Sequence, residues 1–156
     1  MTSNLFEINF DKNQTKKTNE LGMREMQARV YEKRNSKYLL VKAPPASGKS
    51  RALMFVGLDK LHNQGVKKVI IAVPERSIGK SFKDTELMKY GFYWDWKVKP
   101  ENNLTIGGGD KSKVKRFVQF MKSDEEEDNV LIATHATLRF AFEELDDSKF
   151  NNILLA

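Results

Sequence analysis

Apolar residues follow two rhythms along this chain. The runs "YLLVKA" (Tyr38 to Ala43), "KKVIIAV" (Lys67 to Val73) and "NVLIAT" (Asn129 to Thr134) are short and nearly continuous, the pattern of buried strands, and "NNILLA" repeats it at Ala156. Other segments carry apolar residues at helical spacing. Met23, Met26 and Val30 trace one face between Leu21 and about Arg34. Met54, Leu58 and Leu61 do so in "RALMFVGLDKLHNQG", which stops at Gly65. Val114, Phe117, Val118 and Met121 follow the same rule, as do Leu138, Phe142 and Leu145 in "ATLRFAFEEL". A helix is also predicted from Ser77, and a short strand in "NNLTIGGG" that breaks at Gly107. Residues 1–20 are polar, with Phe6, Ile8 and Phe10 as anchors, and read as an arm that is irregular or partly ordered. Continuous strands alternating with amphipathic helices predict a parallel sheet covered on both faces, one α/β layer domain without repeats or linkers.

Composition narrows this modestly. The 156 residues suffice for one domain with a real core, and 40% hydrophobic with 31% charged residues is ordinary for a globular protein. No apolar run approaches the roughly 20 residues that span a bilayer, and "MTSNLFEINFDKNQ" lacks the basic and apolar regions of a secretory signal. Without cysteine there is no disulfide framework and no thiolate metal site. A cytoplasmic protein is expected. The net charge of +6 favours a polyanionic partner. Its distribution is uneven: Lys111, Lys113, Lys115, Arg116 and Lys122 stand against Asp110, and the acidic run "DEEED" that follows reads as a solvated loop.

The chemistry concentrates in "VKAPPASGKS", which follows the first strand. Ala43-x-x-x-x-Gly48-Lys49-Ser50 matches the phosphate-binding loop, with alanine at the first glycine position. Small residues (Pro45, Ala46, Ser47) let backbone N–H groups curl around phosphate oxygens, and Gly48 removes a Cβ at the closest approach. The helix starting near Lys49 turns its positive end to the anion. Lys49 is the catalytic candidate, reaching the β/γ-phosphates of ATP, and the Ser50 hydroxyl is the candidate ligand for Mg2+. A second Gly-Lys-Ser at Gly79 to Ser81 is a decoy, because its first position holds Pro74, which has no N–H and a fixed φ.

Four further stretches carry a resemblance. "GMREMQARVYE" contains Arg24-x-x-Gln27 ahead of the loop; "VIIAVPERSI" is a strand, a proline and a polar turn opening a helix; Gly107-Gly108 is a glycine pair; "LIATHATL" is a strand giving way to Thr134 and a helix. From about residue 21 onward the chain resembles the N-terminal part of the first RecA-like motor domain of a superfamily 2 helicase, in the DEAD/DEAH-like group that includes type III restriction enzyme subunits. The resemblance implies a partial helicase ATP-binding domain over 21–156, in a P-loop three-layer sandwich with a mostly parallel sheet. It implies that Gln27, with Arg24 beside it, reads the adenine edge, and that Phe10 stacks on the base. It also implies that Pro74, Arg76, Ser77, Lys80, Gly107, Gly108, Thr134 and Arg139 meet a nucleic-acid backbone, DNA in preference to RNA. Phe92, Tyr93, Trp94 and Trp96 either stack on bases or pack a loop onto the domain, and Thr134 is a good helix N-cap in its own right. His62 and His135 have no second ligand at metal spacing.

In the family a strand such as "NNILLA" leads into an Asp-Glu-x-His box that holds Mg2+ and orients the attacking water, and the present sequence stops at Ala156. The expectation is therefore a domain cut before that box and lacking its second RecA-like partner. Such a piece is expected to bind ATP weakly at best and not to turn it over, while the parent enzyme couples hydrolysis to unwinding. Two alternatives stay open: a P-loop kinase or other NTPase not acting on nucleic acid, and a non-catalytic binding module that retains a relic loop.

Overall fold

A computed structural model describes residues 5–9 and 18–156, with only the backbone of Leu5, Glu7, Ile8 and Asn9. Phe10 lies outside the described residues. Strands and helices alternate along the chain: β1 (Leu5–Asn9), α1 (Glu25–Glu32), β2 (Tyr38–Lys42), α2 (Lys49–Asn63), β3 (Lys68–Val73), α3 (Asp110–Lys122), β4 (Val130–Thr134), α4 (His135–Glu144) and β5 (Ile153–Leu155). The chain forms two compact units, residues 1–64 with 86–96 and residues 65–85 with 97–156.

In the first unit β1 pairs parallel to β2, so the stretch read as an irregular or partly ordered arm contains a strand. The run at Tyr38, read as buried, alternates instead: Tyr38, Leu40 and Lys42 are exposed, while Leu39, Val41 and Ala43 pack on Met26, Val30, Ala52 and Val56. These helical partners supply one covered face, which a period of two satisfies. α1 is shorter than predicted. Gly22 takes φ +70°, and the Tyr90 ring lies where a Cβ would be. The chain turns there before the helix begins.

α2 is apolar on most sides, with Ala52, Met54, Phe55, Val56 and Leu58 buried. Asp59 interrupts that stripe and is itself buried. Its carboxylate accepts hydrogen bonds from Asn63 (2.8 Å), Gln64 (2.8 Å), Tyr31 (3.1 Å) and Tyr93 (3.3 Å), with the Arg34 guanidinium at 3.4 Å. Burial works to raise its pKa, but the hydrogen bonds from Gln64, Asn63 and Tyr31 and the charge of Arg34 outweigh it and hold the carboxyl below the usual value. Asp59→Ala leaves these donors unmatched and is expected to cost about 3 kcal/mol. That lowers Tm by roughly 10 °C, readable by thermal melting. Because the folded pKa is depressed, the contribution is complete above the unfolded value near 3.9 and disappears as pH falls through the folded value. The difference in Tm between the two chains should therefore shrink below about pH 4 and be constant above about pH 5.

The aromatic cluster belongs to the same packing. Tyr93 stacks on His62 at 4.6 Å, Trp94 meets His62 edge-on at 4.8 Å, and Phe92 meets Phe55 at 4.9 Å. It packs a loop onto α2.

The second unit is a three-stranded parallel sheet in the order β4-β3-β5. β3 is rich in Val and Ile and buried on both faces, as its continuous pattern predicted. Ile70 and Leu131 join Phe117, Phe120, Met121 and Ala141 in a core built by the apolar stripes of α3 and α4. Each large aliphatic side chain withdrawn there contributes about 1.5–3 kcal/mol.

Two predicted elements differ. The helix expected from Ser77 is a 3-10 turn, Arg76–Phe82. Gly79 packs so close to Thr105 that an added Cβ would clash with its Oγ1, and a segment with a glycine between Ser77 and Ser81 gives little helix propensity. The strand expected in "NNLTIGGG" makes only one bridge, Asn103 to Ile132, with the Leu104 N–H donating to Ile132 O at 2.8 Å. The Asn103 carboxamide then accepts from the Thr105 N–H (3.2 Å) and hydroxyl (2.6 Å), which pulls the chain off the ladder into a turn. Among the described residues, no helix is long and apolar enough to cross a membrane.

Candidate functional site

The segment after β2 has backbone features that Ala43 to Ser50 needs in order to hold an anion. Ala46 adopts φ +60° and Gly48 φ +94°. These left-handed residues flank Ser47, whose N–H donates to Pro44 O at 3.3 Å, so the chain curls tightly ahead of α2. An alanine at positive φ costs about 1–2 kcal/mol, and such strain marks places where loop shape matters. Gly48 is the N-cap of α2, no side chain caps that terminus, and no acid occupies its first turn. The amides facing the loop and the positive end of the helix are therefore left for a ligand.

Gln27 determines how the last peptide of the loop is turned. It is 2% exposed, so it does not face solvent. Its Oε1 accepts the Arg24 N–H at 2.9 Å, and its Nε2 donates to Gly48 O at 3.1 Å. Ala52 N–H donates to the same carbonyl at 3.1 Å. In a planar trans peptide, C=O and N–H point in opposite directions. Two donors holding Gly48 O on the α2 side therefore aim the Lys49 N–H into the loop. A Cβ on Gly48 would lie 2.5 Å from Gln27 Nε2 and 3.9 Å from the Arg24 guanidinium. The structure thus brings Arg24, Gln27 and Gly48 together, with Arg24 exposed at the N-cap of α1.

Lys49 folds over the loop, its Nζ donating to Ala43 O (2.7 Å) and Pro44 O (3.0 Å). The ammonium is held at the mouth by neutral carbonyls, which phosphate oxygens can replace with stronger, charge-assisted bonds. Pro45 and Ala46 are exposed, and Ser50 is half-buried in the first turn of α2. The Ser47 hydroxyl is buried with no hydrogen-bond partner. A buried, unpartnered hydroxyl beside a helix N-terminus with no side-chain cap fits a phosphate group. For Mg2+ the fit is narrower. The Ser50 hydroxyl is the protein oxygen suited to it, and no cluster of three or more His, Cys, Asp or Glu is found among the described residues. A cation there would lean on the phosphates themselves.

The remaining candidates lie in the second unit. Thr134 is the register partner of Val73, so the turns that follow β3 and β4 leave the sheet side by side. Pro74, Arg76, Ser77 and Lys80 are exposed in the first of these turns. Thr134 caps α4, its Oγ1 accepting the Thr137 N–H at 3.3 Å, and Arg139 is exposed on α4. Arg76 reaches Asp110 at the start of α3 at 3.5 Å. Gly107 and Gly108, just before it, take φ +56° and +71°. The decoy Gly79 has an ordinary negative-φ backbone and is buried against Thr105.

Sequence reasoning did not single out Asp59 or Lys113. Both are charged residues at helical spacing from apolar ones, Asp59 with Ala52, Phe55 and Val56, and Lys113 with Phe117 and Phe120. A charge on an apolar stripe was the available signal.

Strand, left-handed loop and uncapped helix together make an α/β protein in which the backbone after β2 suits an anion. The chain is 70% identical over 154 residues to "Putative ATP-dependent helicase YeeB" of Bacillus subtilis (strain 168), a match covering 98% of this chain and 25% of that protein. The chain thus spans about a quarter of the length of the curated relative it matches. No family model matches, and no solved structure matches.

Proposed function

We propose that this chain is the ATP-binding part of a RecA-like motor domain, in an ATP-dependent helicase or translocase of superfamily 2. The observation that carries the reading is the hydrogen bond from Gln27 to Gly48. It ties the Arg24-x-x-Gln27 element, for which a P-loop kinase has no need, to the peptide that closes the phosphate loop. Similarity to a protein named as an ATP-dependent helicase supports the same reading.

In this reading Lys49 and the loop amides bind the triphosphate, Ser50 holds Mg2+ and Gln27 reads adenine. The Gln27 amide spends one N–H and one lone pair on the protein. One of each remains, the complement of adenine N7 and N6–H. The turns after β3 and β4 and the glycine pair carry a nucleic-acid strand, DNA in preference to RNA. Hydrolysis and stepping belong to the longer protein, where a second RecA-like domain would face this one.

Competition against a fluorescent ATP analogue tests the assignment. ATP is expected to displace the analogue at least tenfold better than GTP, one adenine-specific pair of hydrogen bonds being worth roughly 1–3 kcal/mol. Equal displacement by GTP would count against Gln27 as the adenine reader and favour a general P-loop enzyme.

A further inference from the structure

At the N-terminus of α3, a buried lysine ends without a partner. Lys113 is 4% exposed, and its Nζ makes no hydrogen bond. A side chain in the fourth helical position leans back toward the N-terminus, and here the Lys113 Cε lies 3.8 Å from where a Gly108 Cβ would be. An ammonium taken from water with nothing to bond is costly to the protein. Burial first, and the Arg76 guanidinium second, push its pKa below the ordinary lysine value, with Asp110 opposing. Two cations therefore converge on one acid, and that acid, exposed on its outer side, is already engaged by Arg76.

Around this ammonium the backbone is arranged for an anion. Gly107 and Gly108 are both left-handed, and a Cβ added to Gly107 would meet nothing within 4 Å, so the approach is open. Gly109 caps the thirteen-residue α3 without a side chain. The amides of the first turn and the positive helix end thus point toward the place Lys113 reaches.

We propose that Lys113, with Arg76 and the Gly107–Gly109 turn, forms a phosphate pocket that grips one phosphodiester of a bound nucleic-acid strand. This rests on the nucleic-acid reading of the sheet-end turns and adds the residue that holds the strand in register. Arg76 and the glycine amides meet the outer phosphate oxygens, and the buried ammonium supplies the inner contact.

The test uses a fluorescein-labelled oligothymidylate and the whole chain, with anisotropy read over a range of salt. Lys113→Met is expected to weaken binding about tenfold or more and to lower the slope of log affinity against log salt by about one. Lys113→Arg should restore much of both, while Lys111→Met, an exposed neighbour on the same helix, should change affinity only slightly. Lys113→Met should melt no lower than the parent, because it removes an unpaired buried charge. Unchanged affinity and slope in Lys113→Met overturn the pocket, and so does a loss that Lys113→Arg does not restore. If the parent chain binds no oligonucleotide, the nucleic-acid reading fails. Inorganic phosphate then decides the pocket: protection of Lys113 from reductive methylation supports a free-phosphate site, and no protection overturns it.

Discussion

Replacing Lys49 by alanine is expected to lower the affinity for a fluorescent ATP analogue by on the order of 100-fold and to leave the melting temperature nearly unchanged. The two effects separate because of what Lys49 touches. Without nucleotide its ammonium donates only to Ala43 O and Pro44 O, carbonyls of a half-buried loop that water can serve instead. With nucleotide it would exchange these for phosphate oxygens, where charge-assisted hydrogen bonds contribute about 1.5–3 kcal/mol each. Two such bonds, partly offset by the two carbonyl bonds given up, leave about 3 kcal/mol, which corresponds to the expected factor. Lys49→Arg should recover only part of it, since a branched guanidinium does not replace a compact ammonium at a fixed point. Titration by fluorescence anisotropy beside a thermal melt measures both quantities. An alanine variant that binds the analogue as tightly as the parent would mean the loop is a relic.

Much of this site was legible because its signals are local. A short Leu/Val strand, small residues, Gly-Lys-Ser and an apolar helix lie within one stretch of chain, and each constrains the backbone directly. Pro74 likewise disqualified the second Gly-Lys-Ser from its own covalent structure. What escaped depends on neighbours far along the chain. Gln27 on a short helix is compatible with solvent. Only the fold places Gly48 O against its amide and turns a polar residue into one of the most buried of the chain. Lys113 was counted as one of five basic residues in its segment, although its spacing from Phe117 put it on the apolar face of α3. The 3-10 turn after β3 and the unformed strand at Asn103 share one cause: Thr105 packs on Gly79 while its hydroxyl and N–H bond to Asn103. Propensity carries no term for such a contact.

Gly48→Ala is the second large effect, and it tests whether the contact with Gln27 shapes the loop. An alanine at φ +94° costs about 1–2 kcal/mol of backbone strain. Its Cβ would also arrive 2.5 Å from Gln27 Nε2. Gln27 cannot swing aside freely, since moving it sacrifices bonds to Gly48 O and the Arg24 N–H, each worth about 1 kcal/mol. The sum is about 3 kcal/mol, expressed as lower stability of the loop and a loss of ATP affinity on the order of 100-fold. Gly65 supplies the control. Its φ is +67°, but an added Cβ meets nothing within 4 Å, so Gly65→Ala should show the strain alone, about 1 kcal/mol. Combining Gly48→Ala with Gln27→Ala removes the obstacle, and the double variant should be less damaged than the two single losses added together, by about 1 kcal/mol or more. Strict additivity would show that the Cβ never meets Gln27 and that strain accounts for the glycine by itself. A coupling of the expected sign would make the Gln27–Gly48 contact a working part of the phosphate loop, whichever base the nucleotide carries.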